Sequence, residues 1–407
     1  MSYCGNMHGE RIKDIMLQEK YTIRMRLSVW FGLAALVFGA FCGGAMASGA
    51  YATSYFARYG GGHMLIFILI FMTIMAVCCI LGINVIRAYK VTDYNGFYLA
   101  LYGLHRDGSN PGLRKIVTLF FDFYTILSGI AACAGAMALF GALANSTTGM
   151  PVQAGSLIAA FVFAILSVYG SAFLRKFNTV MTLALTGSLL AVLAAVCPIR
   201  GDVLVGLLGN FRTGVDWSGA SLATGYTMLI SYCFNVGSWG ATLSSYSEKI
   251  RDQKDAVGSG IMIAIFVSVL FFATSCIVLP FLPEQLNSTP ILNICQNYLG
   301  STLTIIYWVV IFIAVITTGP TFAFSIAARF IKLWKNSGID RKLKVFVIAL
   351  AFMIVCYFVS LMGLMKIVQI LLTSTGAIGA FSIFIPLIIS IFRIHRLNLA
   401  ERNGTSG

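Results

Sequence analysis

Apolar runs, each about the length of a bilayer-crossing helix, alternate along this chain with short polar or charged segments. Reading runs of about 20 apolar residues as spans predicts ten of them, at roughly 28–58, 63–86, 115–143, 154–174, 177–196, 219–247, 256–280, 301–330, 341–362 and 366–392. The pattern predicts an all-α polytopic membrane protein. Two of the ten runs are interrupted. The first carries Gly39-Ala-Phe-Cys-Gly43-Gly44-Ala-Met-Ala-Ser48-Gly49, and the sixth carries Asn235-Val-Gly237-Ser238-Trp239-Gly240. Glycine costs a helix roughly 1 kcal/mol per residue relative to alanine. In hydrocarbon the freed backbone groups also need partners, so a break at bilayer depth has to face protein or a wet cavity. In secondary transporters such breaks aim half-helix ends and unwound carbonyls at substrate and coupling ion.

Composition agrees with the pattern: 58% of the 407 residues are hydrophobic and 10% charged, too few charges for the surface of a soluble domain. The net charge of +14 raises the question of nucleic acid, and the placement of the charges answers it. Of the 28 lysines and arginines, 24 fall in one alternating set of loops and tails, and only Arg58, Arg200, Arg212 and Lys366 fall in the other. This split predicts an even span count with both termini cytoplasmic, in the cell membrane, and leaves nucleic-acid binding no part. Ala45-Met-Ala47 imitates a leader-peptidase site, but the run before it is too long and follows a charged tail, so the segment is expected to be retained. The ten cysteines show no metal-ligand spacing. Cys197 and Cys295 both fall on the predicted outer side, where pairing is open to them.

The ten spans divide into a cytoplasmic tail (1–27), a first five-span half (28–196), an outer connecting loop (197–218), a second five-span half (219–392) and a cytoplasmic tail (393–407). An odd number of spans per half forces opposite orientations, so any likeness between the halves is an inverted repeat, and the two broken spans are then equivalent. The 87–114 loop suits a short amphipathic helix on the cytoplasmic face. Residues 282–299 suit a turn and a short helix over the outer mouth.

Five spans plus five inverted spans, with discontinuous first and sixth helices, resembles the LeuT-type fold of the amino acid–polyamine–organocation superfamily. More narrowly, Gly39-x-x-x-Gly43-x-x-x-Ala47-Ser48-Gly49, followed by Tyr59-Gly60-Gly61-Gly62, resembles the opening motif of YkvI-type membrane proteins, grouped as amino acid permeases. Two local differences stand out: the family's Gly-Ala-Gly-Phe is Gly43-Gly44-Ala45-Met46 here, and its Gln-Glu pair is Ala50-Tyr51. The resemblance implies a symporter for small amino acids. It also implies a sodium ion held between the first and eighth spans by hydroxyls.

The breaks and their neighbours supply the candidate site. Ala40, Gly43, Gly44 and Ser48 in the first span, Tyr124 in the third, and Asn235, Gly237, Ser238 and Trp239 in the sixth are candidate substrate contacts. The plainer reading of the glycines is close helix packing, and of Asn235 and Trp239 a bond to a neighbouring helix. In the eighth span Pro320 lacks an amide hydrogen and frees the Ile316 carbonyl beside two hydroxyls. Ala40, Gly43, Thr317 and Thr318 therefore form a candidate cation site of neutral oxygens, unless the threonines only bond back to their own turn. Asp122, a carboxylate inside the third span, is a candidate proton relay or inner gate, or a structural ion-pair partner of Arg175 or Lys176. Phe322 and Phe324 are candidate cavity walls.

No HExxH, paired intramembrane aspartates, Ser/His combination or phosphate loop occurs in the sequence, so the chain reads as no enzyme and no ATP-driven pump. The expected function is a secondary active transporter for a small amino acid or a related zwitterion or amine. It needs no cofactor beyond a coupling Na+ or H+. Its partners are the small-molecule substrate and the lipid bilayer, and a monomer suffices for transport. The alternatives are a sensor that keeps the fold and moves nothing, and an ion or water channel.

Overall fold

A computed structural model of the chain describes residues 23–41, 43–105, 108–169, 171–211, 221–235, 243–244, 247–331, 334, 338 and 340–402. These residues are helical nearly throughout, with no strand among them. Helix α1 spans Ile23–Phe41. Gly43 then adopts extended backbone (φ −68°, ψ −175°) ahead of the one-turn helix α2, Gly44–Ala47. Gly49 follows at φ +88°, a left-handed conformation that glycine takes without steric cost. A π-helical turn Ala52–Phe56 and a 3₁₀ turn Ala57–Tyr59 complete the segment. The first predicted span is therefore discontinuous, as the glycine pattern implies.

Next come α3 (Gly61–Tyr89) and the short α4 (Tyr94–Leu101), whose Asp93 cap accepts the Gly96 N–H at 2.6 Å. The 38-residue α5 (Pro111–Thr148) starts with proline in its first turn and an Asn110 cap, both favourable where helical N–H groups lack partners. The chain continues through α6 (Val152–Ser167), α7 (Ser171–Leu208), α8 (Leu222–Cys233) and α9 (Gln253–Val278). The short α10 (Pro290–Ile294), α11 (Ser301–Phe330) and α12 (Arg341–Ser360) follow. A last span, α13 (Leu364–Arg396), contains π turns at Ile367–Leu372 and Ala380–Phe384.

Seven helices among the described residues are long and apolar enough to cross a membrane. They match the second, third, fifth and seventh to tenth predicted runs. The first, fourth and sixth runs hold helices of 19, 16 and 12 residues. Several boundaries differ from the sequence reading. Helix α1 begins at Ile23, inside the predicted tail, and the final helix continues to Arg402. Helix α7 runs past 196 to Leu208, into the predicted outer loop, with a kink at Arg200 (φ −138°, ψ 26°) just after Pro198. The kink is held from outside the helix. Arg200 Nη1 donates to the Pro280 carbonyl at 2.8 Å, and the guanidinium lies 4.7 Å from the centre of the Phe281 ring. Such contacts override local loop propensity. Cys197 and Cys295 are separate thiols, the first exposed and the second buried.

The helices pack as two groups. In the first, α1 and α3 both lie along α9, and α8 joins them. Its interior is aromatic: Tyr55 stacks on Tyr232 at 4.2 Å, and Phe271 packs against Phe56 at 4.7 Å and Phe71 at 5.0 Å between ring centres. In the second group, α5, α6, α11 and α12 pack on one another. Here small residues allow close approach. A Cβ added at Gly141 would lie 2.4 Å from the Val152 carbonyl oxygen, and one at Gly319 would lie 2.0 Å from the Phe163 ring.

Candidate functional site

A central cavity of about 60 Å³ lies where the two groups meet. Gly43, Ala45, Met46 and Tyr51 reach it from the broken first span, and Tyr232 and Asn235 from the end of α8. Opposite them are Ser128, Ala132 and Ala136 on α5 and Thr318 and Phe322 on α11, with Leu372 of α13 closing one side. Gly43 is fitted tightly to Thr318: a Cβ there would fall 2.4 Å from the threonine Oγ1. Helix α8 ends just short of Asn235, whose N–H donates to the Tyr232 carbonyl at 3.0 Å. Its end is clamped by α13, since a Cβ at Gly376 would lie 1.8 Å from the Ser231 carbonyl oxygen.

Of the residues singled out from the sequence, Gly43, Asn235, Thr318 and Phe322 thus converge on one cavity. Others are placed elsewhere. Gly44 packs on Val315 of α11. The buried Ser48 hydroxyl donates to the Ala45 carbonyl and accepts from the Ala50 N–H. Tyr124 donates to the Thr375 carbonyl at 3.0 Å, fixing α13 rather than facing the cavity. Thr318 donates to the Ala314 carbonyl at 3.0 Å, the back-bond expected of an intramembrane threonine, and this leaves its oxygen lone pairs beside Gly43. Gly237, Ser238 and Trp239 lie outside the described residues, as do the side chains of Ala40, Thr317, Arg175 and Lys176.

The wall residues missed in the sequence include Tyr51, Tyr232 and Ser128. Tyr51 and Tyr232 were lost among many aromatic residues. Ser128 carried a usable signal: with Ala132 and Ala136 it forms an i, i+4, i+8 row of small residues on one face of α5. The Ser128 side chain is buried and its hydroxyl has no hydrogen-bond partner, a state that costs about 1–3 kcal/mol unless a ligand or water meets it.

Among the described residues the ion pairs form two clusters. Asp122 pairs with Arg329 of α11 at 2.5 Å and accepts the Tyr94 hydroxyl of α4. Arg329 was not among the partners expected for it, and the side chains of the expected Arg175 and Lys176 lie outside the described residues. The cause is tertiary: α5 and α11 run side by side, an adjacency that sequence spacing does not reveal. Burial, reinforced by Asp122, pushes the Tyr94 hydroxyl pKa above its ordinary value. In the first group Arg26 of α1 contacts Asp252 at 2.7 Å and the fully buried Asp255 at 3.4 Å, both at the start of α9. The Arg26 guanidinium holds the Asp252 carboxyl below the usual carboxylate range.

Seven apolar helices and this packing define a multi-pass membrane protein with the LeuT-type fold. The fold is similar to that of MhsT, solved in complex with L-phenylalanine, with a TM-score of 0.57 at 17% identity over 86% of this chain and 87% of that chain. A substrate-bound, outward-open Na+-coupled sialic acid symporter gives a TM-score of 0.47 at 12% identity over 84% of this chain and 81% of that one. No family model matches the chain, and no curated protein matches it in sequence.

Proposed function

We propose that the chain is a secondary active transporter that moves a small amino acid or related zwitterion by alternating access around the central cavity, coupled to Na+ or H+. The observation that carries this reading is the convergence of the Gly43 break and the Asn235 end of α8 on a cavity whose far wall is Thr318. Irregular backbone at membrane depth is tolerated only against protein or a wet cavity, and here it meets one. The fold shared with MhsT supports the reading. So does the glycine motif of the first span, which resembles that of YkvI-type permeases.

In this reading the ten predicted spans form two five-span inverted halves with both termini cytoplasmic, as the charge distribution favours. The first helix group moves against the second, so that the cavity opens to one side and then the other. The coupling ion, when sodium, is taken as cargo by neutral oxygens between Gly43 and Thr318, completed by the Ala40 carbonyl and the Thr317 hydroxyl. Uptake of radiolabelled amino acids into proteoliposomes tests the proposal. Accumulation above equilibrium that collapses when the sodium or proton gradient is removed is the expected result. Equilibration indifferent to both gradients would make the protein a channel and overturn the proposal.

A further inference from the structure

Resting on the reading of the central cavity as the substrate site, we infer that Ser128 hydrogen-bonds the substrate and that the site takes zwitterions with short, uncharged side chains. Ser128 is 6% exposed, lines the cavity and has no hydrogen-bond partner. Thr318, Tyr124 and Tyr55 each donate to a backbone carbonyl, and Thr125, whose hydroxyl also lacks a partner, does not line the cavity. Buried polar groups are nearly always satisfied, and an orphan in a native structure calls for a missing partner. Ser128 is therefore a polar group at the cavity wall that awaits a partner.

Size and charge restrict what it meets. Beside Ser128 the α5 wall is only Ala132 and Ala136, and the cavity of about 60 Å³ favours a small ligand over a bulky one. Among the described lining residues there is no Asp, Glu, Lys, Arg or His. A charged side chain would lose its hydration without a counter-charge. The α-ammonium and α-carboxylate of a zwitterion need no such residue, because backbone carbonyls and amides at the interrupted helices carry matching partial charges. Glycine, alanine and serine fit these limits; phenylalanine, lysine and glutamate do not.

The test is equilibrium binding of these six amino acids to the purified full chain, with thermal unfolding alongside, for the wild type, Ser128→Ala and Ser128→Thr. The expected result is wild-type binding confined to the small neutral members. Ser128→Ala should weaken it about tenfold without lowering the unfolding temperature of the unliganded protein, and Ser128→Thr should restore much of the loss. Unchanged affinity in Ser128→Ala overturns the inference. Tighter binding of phenylalanine, lysine or glutamate than of alanine does the same. Failure of the wild type to bind any of the six overturns the inference together with the reading of the cavity. Binding that depends on Ser128 but is not accompanied by uptake upholds the inference and removes only transport.

Discussion

The two helix groups that enclose the cavity are built differently. The first is broken and aromatic: α1 stops at Phe41, α2 restarts at Gly44, α8 ends at Cys233, and stacked rings such as Tyr55 on Tyr232 fill the interior. The second runs unbroken. Helix α5 is continuous for 38 residues, and α11 continues for 30 residues through Pro320, with close glycine contacts at Gly141 and Gly319. Each group also has its own ion pair, Arg26 with Asp252 and Asp255 in the first, Asp122 with Arg329 in the second. Neither of these pairs crosses the cavity. The seam between the groups is crossed by a buried hydrogen bond from the Tyr307 hydroxyl of α11 to the Ala47 carbonyl of α2, and beside it Gly43 and Gly44 fit closely against Thr318 and Val315. The proposed function requires this seam to open and these contacts to be exchanged.

The largest expected effect comes from joining the blocks. The Gly43 Cβ position and the Thr318 Cβ are 3.2 Å apart, a few tenths of an ångström short of the Cβ separation of disulfide-linked residues. In a background lacking the native cysteines, Gly43→Cys with Thr318→Cys should lose uptake under oxidation and regain it with reductant. Uptake indifferent to the cross-link would show that the seam does not open.

Breaking the ion pairs sharpens the contrast between the groups. Arg26→Ala removes the cation beside Asp255, which is fully buried, and should destabilise the protein by roughly 3 kcal/mol. Arg329→Ala leaves Asp122 with the Tyr94 hydroxyl and a side chain still 20% exposed, so about 1 kcal/mol is expected. Chemical unfolding in detergent measures both, and the reverse order would contradict the assigned burial.

The smallest effect is in the pH dependence. The Asp252 carboxyl is held below its ordinary value in the folded protein, so its contribution is complete above the unfolded value of about 4 and is lost as pH falls through the folded value. Asp252→Asn should flatten this acid limb of the unfolding temperature as pH falls below about 4. A limb of unchanged slope would assign the acid sensitivity to another group.

Much of the site was legible because its cause is local. Glycine density alone marked Gly43 as a break, and an intramembrane Thr-Thr-Gly-Pro run drew attention to Thr318. Asn235 stood out as a helix-averse residue in an apolar run, and α8 does end next to it. Ser128 did not stand out, because a lone serine in a membrane helix is ordinary until its hydroxyl is known to lack a partner. Arg329 was hidden for a similar reason: it is 207 residues from Asp122, and no spacing rule connects them.

The amino-acid order by itself determined that the chain is helical and membrane-embedded, where most spans run and where the first one breaks. These follow from desolvating apolar side chains and from the backbone's need for hydrogen bonds, which act within a few turns of chain. Only the tertiary structure decided which broken end faces which hydroxyl, how far α7 runs past Pro198, and which cation neutralises Asp122. Those depend on atoms brought within a few ångströms across the whole molecule, where packing and Coulomb energy outweigh local preference.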